Sequence, residues 1–212
     1  MNFQITEELS RRAKLVNDNG RNVIPHQDIF YYHSILYSAE CAINAFEKYE
    51  YFLTLKEVTP THLVSSIHEA ISHVGSLSFY FFNTGGRASK YKPQDIVDFI
   101  KNRSNSFREE FNLNDDSALK NRNLRNMFEH FDEKLDIYLL NTLAGTFYPM
   151  PKLGKHTDVE EKILDKNFKL LDIKSKCLVL FNEKFFFGDM QKEVYDVYSL
   201  AYKKCYNITN RS

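Results

Sequence analysis

Residues 59–82, TPTHLVSSIHEAISHVGSLSFYFF, decide the fold class. Leu63, Ile67, Ala70, Val74, Leu77 and Phe81 recur at alternating spacings of four and three, a heptad-like seam. Such a seam suits a helix lying nearly antiparallel to a neighbour in a bundle. Thr59 offers an N-cap and Pro60 suits the first helical position. Gly85-Gly86 supplies the stop, because glycine readily takes the left-handed conformation past a helix C-terminus.

The flanking segments continue the pattern. Residues 27–52 contain no Gly or Pro, and Ile29, Tyr32, Leu36, Ala39, Ile43 and Phe46 recur at helical spacing, with Leu53 a further seven on. A short helix is expected over 5–16, ended by Asn17-Asp18-Asn19-Gly20. Beyond the basic loop 87–93, residues 94–111 read as a third bundle helix with Ile96, Ile100, Phe107 and Phe111 inward. Asp115-Asp116-Ser117 offers N-caps for a fourth helix running to about residue 140.

After Asn141 the period is lost. Gly145, Pro149, Pro151 and Gly154 punctuate residues 141–167, expected as a long irregular connection with a helical turn or two near 159–165. Residues 168–173, 176–181 and 184–187 are β-rich runs separated by Lys174-Ser175 and Asn182-Glu183, which predicts an antiparallel meander. A terminal helix follows Gly188-Asp189, with Met190, Val194, Val197, Ala201 and Cys205 on one face. The expected architecture is mainly α: a helical bundle over 1–140, the connection 141–167, and a β meander plus terminal helix over 168–212, packed together as one domain.

Composition narrows function mainly by exclusion. The 212 residues are 43% hydrophobic, enough for a sizeable core. Twenty-eight basic and twenty-eight acidic residues cancel, so no global field recruits nucleic acid or anionic lipid. No run is apolar enough for a membrane span, and the N-terminus lacks the order of a secretory signal, so a cytoplasmic location is expected. Cys41, Cys177 and Cys205 form no CxxC pair and read as free thiols.

The chemistry-bearing stretch is 119–136, LKNRNLRNMFEHFDEKLD. On one continuous helix, Leu124, Phe128, Phe131 and Leu135 fall within about 40° of each other as a core stripe. Arg122, Asn126, Glu129 and Glu133 then crowd the opposite face, flanked by Arg125 and His130. The plain reading is a solvated face with weak i,i+4 pairs such as Arg125–Glu129, each contributing about 0.2–0.5 kcal/mol.

The run Arg125-Asn126-Met127-Phe128-Glu129-His130, on a late helix of an all-α bundle, resembles the signature of HEPN domains: an arginine, a polar residue, and a histidine after a short spacer. The resemblance covers roughly residues 27–140. It implies a homodimer in which two such helices pool their motifs. Many members are metal-independent endoribonucleases of toxin–antitoxin, phage-defence or RNA-processing systems. Others are inactive binding or scaffolding modules, and an antitoxin or regulatory protein is a possible partner. By position the resemblance makes Arg125 and His130 the catalytic candidates and Asn126 their supporting polar residue, with no cofactor.

Those residue types suit RNA cleavage without metal. Histidine can accept the 2′-hydroxyl proton or donate one to the leaving oxygen. Guanidinium holds charge building on a phosphate, and Asn126 can orient either group. An i,i+5 pair is about 140° apart on an ideal helix, which favours a composite site at a twofold axis. Arg122, Arg87 and Lys90 are the expected RNA contacts, with Lys92 and Lys101 as further candidates. Glu129, Asp132, Glu133 and Asp136 would repel a polyanion, so a non-catalytic dimerisation or partner-binding module stands beside the enzyme. Metal sites are not expected: His68 and His73 are five apart, unlike the four-residue spacing of a zinc-protease helix, and no second Glu-x-x-His pair with inward projection completes a di-metal bundle.

Overall fold

The computed structural model describes residues 6–20, 27–83, 93–141, 144–161 and 165–206. Eight α-helices are present among them: α1 Glu7–Asp18, α2 Asp28–Thr54, α3 Pro60–Phe81, α4 Gln94–Glu110, α5 Asn123–Glu129, α6 Phe131–Asn141, α7 Asp158–Glu161 and α8 Gly188–Cys205. The strands are β1 Thr146–Tyr148, β2 Lys152–Leu153, β3 Asp165–Asn167, β4 Lys169–Asp172, β5 Cys177–Leu180 and β6 Glu183–Phe186.

Helix α3 is built as its seam requires. The Thr59 hydroxyl accepts the His62 N–H, Pro60 occupies the first turn, and all six seam residues are at most 3% exposed. Fully burying each large aliphatic contributes about 1.5–3 kcal/mol before the entropy of ordering is subtracted. Helix α2 packs along α3 and against α8, while α1 packs along α4. One continuous apolar core joins α2, α3, α5, α8 and the inner face of the sheet. In α4 the inward residues are Val97, Ser104 and Phe107. Ile96 and Ile100 are only half-buried, a rotation of the expected stripe.

The meander forms as the strand runs predict, β4–β5–β6 antiparallel with Leu171 opposite Leu178 and Leu178 opposite Phe185. Its second turn needs left-handed backbone without glycine: Phe181 and Asn182 have φ of 49° and 69°. The cost of that conformation for phenylalanine, roughly 1–2 kcal/mol, is met by packing, since its ring lies against Phe131, Tyr138 and Phe168.

Two expectations are corrected. The connection over 141–167 is not simply irregular. Strand β2 adds to the sheet edge parallel to β4, and β1 pairs in parallel with β3. These pairings join residues distant in sequence, so no short-range period announces them. The second correction concerns the fourth helix, which is not continuous. A 3-10 turn at Ala118–Lys120 precedes α5, and the chain breaks again at His130 before α6. The aromatic residues on either side of that break have different partners: Phe128 stacks on His68 of α3, whereas Phe131 packs on Phe181 in the β5–β6 turn. The core stripe changes accordingly. Leu124 and Met127 are the buried residues of α5, while Phe128, Phe131 and Leu135 are half-buried.

Candidate functional site

Arg125 is fixed from several sides. Its Nε and Nη2 both donate to Glu129 Oε1, at 2.8 and 2.7 Å. Its aliphatic stem crosses α3 at Gly75, and its guanidinium lies 4.8 Å from the centre of the Phe79 ring. The side chain is 22% exposed.

His130 contrasts with it. As the C-cap of α5 it has φ −113° and ψ 33°, and its N–H donates to the Asn126 carbonyl. Its ring is 57% exposed, and Glu133 approaches it, Nδ1 to Oε2 at 3.6 Å. Asn126 is exposed beside it. The interruption at His130 removes the premise that Arg125 and His130 project from one unbroken helix. It also recasts the acidic crowding, because Asp132 and Glu133 form the first turn of α6, where a helix dipole favours negative charge.

Arg122 sits next to Arg125. Its Nη2 donates to the Phe82 carbonyl at 2.8 Å, satisfying an end carbonyl of α3, and its guanidinium is 4.5 Å from the same Phe79 ring. Burial, and then the neighbouring Arg125, lower its pKa from the ordinary arginine value. Arg122 opens onto a cleft of about 690 Å³ between the end of α3, helix α4 and the 118–123 segment. Lys101, Arg108 and Lys120 also line it, with Asp115 the single carboxylate among the described residues. Asp115 is already shared by Arg108 at 3.1 Å and Lys120 at 2.9 Å, and these cations hold its pKa low.

The expected RNA contacts therefore divide. Arg122 and Lys101 line one cleft, whereas Arg87, Lys90 and Lys92 lie outside the described residues. Sequence reasoning missed Gly75, Phe79, Arg108 and Lys120. Only Gly75 carried a signal, being an isolated glycine inside a strong helical pattern. His68 stacks on Phe128, its ring centroid 4.0 Å away. Among the described residues no group of three or more His, Cys, Asp or Glu is placed to hold a metal ion, and no helix is long and apolar enough to cross a membrane.

Comparison with family models, curated proteins and solved structures finds no match to this chain.

Proposed function

We propose that the chain is a metal-independent endoribonuclease of the HEPN type, working as a homodimer on an antiparallel helical bundle. The observation that carries this reading is His130, an exposed imidazole at the joint between α5 and α6 whose contact to Glu133 is loose at 3.6 Å. It is free to exchange a proton with a ligand, and Arg125 stands one helical turn earlier with a permanent charge.

In the proposed step one imidazole accepts the 2′-hydroxyl proton as that oxygen attacks the adjacent phosphorus. The bond to the 5′-oxygen breaks, a second imidazole protonates that oxygen, and a cyclic phosphate remains. Arg125 offsets the charge building on the phosphoryl oxygens, and Asn126 orients the strand. Helix α6 supports a pairing of two copies. It has no buried residue, and Ile137 and Leu140, three apart on one face, are 55% and 80% exposed.

The second reading, a non-catalytic dimerisation or partner-binding module, is favoured by the closure of Glu129 on Arg125. Incubating the purified protein with structured RNA in chelator separates the two. Cleavage lost in both His130→Ala and Arg125→Ala, with dimerisation intact, supports a composite enzyme. An inert but dimeric wild-type protein supports the module.

A further inference from the structure

We infer that the cleft between the end of α3, α4 and the 118–123 segment is a groove for single-stranded RNA, carrying phosphates past Lys101 and Arg122 toward Arg125. The choice of ligand rests on the RNA-directed reading above; the site itself rests on its own geometry.

Charge is the first argument. Among the described residues four cations line the cleft against one carboxylate, and that carboxylate is taken up by Arg108 and Lys120. Lys101 and Arg122 have no carboxylate partner among the described residues. A partly desolvated guanidinium whose one hydrogen bond is to a carbonyl keeps most of its donors for an anion, and a phosphate accepts two of them at once. The free protein therefore holds uncompensated positive charge in a concave site, where low-dielectric walls focus the field.

The second argument is shape and lining. A volume of about 690 Å³ is large for a lone phosphate and suits a nucleotide unit. Asn105, Asn121 and Asn123 face the same space, and the half-buried Phe82 ring forms part of its wall. Amides supply hydrogen bonds to sugar and base edges, and the Arg108 guanidinium, 5.7 Å from the centre of the Phe82 ring, adds charge to that wall.

Continuity is the third. Arg122 lines the cleft and shares the Phe79 ring with Arg125, the two guanidiniums 4.5 and 4.8 Å from its centre. Lys101 on α4 and Arg122 line the cleft and Arg125 stands beside Arg122 outside it, and a strand can meet all three cations where a lone mononucleotide fills the cleft alone. The 118–123 segment is shaped by Glu193 of α8, whose carboxylate accepts the Ser117 hydroxyl at 2.6 Å and the Ala118 and Leu119 N–H groups. The cleft wall is therefore braced by the body of the fold.

The test is fluorescence anisotropy of the full chain with a short labelled single-stranded RNA over a salt series. Lys101→Glu combined with Lys120→Glu, both at exposed positions, is expected to weaken binding at least about tenfold. Arg122→Ala is expected to lower the salt slope by about 0.7, the share of one phosphate contact on a single strand. Wild-type affinity and slope in all these variants overturn the groove. Equal affinity for ATP or inorganic phosphate alone also overturns it, in favour of a small-anion site. The two readings fail separately. RNA binding that the variants weaken, without any cleavage by wild-type protein, sustains the groove and ends the nuclease. Cleavage with unchanged KM in the variants sustains the nuclease and ends the groove.

Discussion

Arg125 and Gly75 fit one another across the contact of α5 with α3: the arginine stem occupies the space that a β-carbon at position 75 would take. Gly75 is buried, so glycine there costs helix propensity that only this crossing explains. Gly75→Ala is expected to destabilise by about 1–2 kcal/mol, since overpacking outweighs the propensity gained. In an Arg125→Ala background the same change becomes neutral or stabilising by up to about 1 kcal/mol. A double-mutant cycle by chemical denaturation measures this, and additive effects would show that the two residues do not interfere.

His130→Ala is expected to leave thermal stability nearly unchanged, because the exposed ring makes few contacts. RNA cleavage should fall by about 100-fold or more if the imidazole transfers protons. Equal loss of activity and folded population would instead mark a structural role.

The exposed residues Ile137 and Leu140 give the dimer a direct check. Leu140→Glu with Ile137→Glu is expected to convert a dimer to a monomer in light scattering while the far-ultraviolet spectrum is retained. A wild-type monomer at all concentrations leaves the composite centre unbuilt.

Asp172 ties the 152–156 segment to the sheet. It accepts the backbone N–H and ring Nδ1 of His156 at 3.0 and 2.7 Å on one oxygen, and the Ser175 N–H at 3.1 Å on the other. Burial alone would raise its pKa, but the hydrogen bonds from His156 and Ser175 outweigh it and hold the carboxyl at about 2. A folded-state pKa below the unfolded value means stability that is present above about pH 4 and lost as pH falls toward 2. The contribution is on the order of 2 kcal/mol. Asp172→Asn should lower stability at pH 7 and flatten that acid limb, as read from urea melts at several pH values.

His68 has the opposite sense. Burial, and then the Lys169 ammonium, lower its pKa, so the fold favours the neutral ring stacked on Phe128. Its contribution is whole above about pH 6.5 and falls as pH drops through the folded value. His68→Phe should gain stability over wild type progressively between pH 7 and pH 5. A constant difference across that range would mean the ring titrates alike in both states.

How far the chain could be read from its residues follows from the range of each interaction. Apolar recurrence along α3, the Thr59-Pro60 start and the strand runs over 168–187 are relations among residues a few positions apart, so they are visible in the string. Arg125, Asn126 and His130 stand out through resemblance to a short motif, which is also a local relation, and their role stays a proposal. The i,i+4 closure of Arg125 on Glu129, read as the plain alternative, is present at 2.7 Å.

Three matters belonged to the tertiary structure. Whether the fourth helix stays whole depended on where Phe128 and Phe131 pack, and they pack on different layers. Strand β2 found its place beside β4 across an intervening helix. Lys101, Lys120 and Arg122 came to line one cleft because α4 and the 118–123 segment meet at the end of α3. Local periodicity says which face of a segment is buried; only packing decides which segments share a surface, because that choice is made by contacts between residues far apart in the chain.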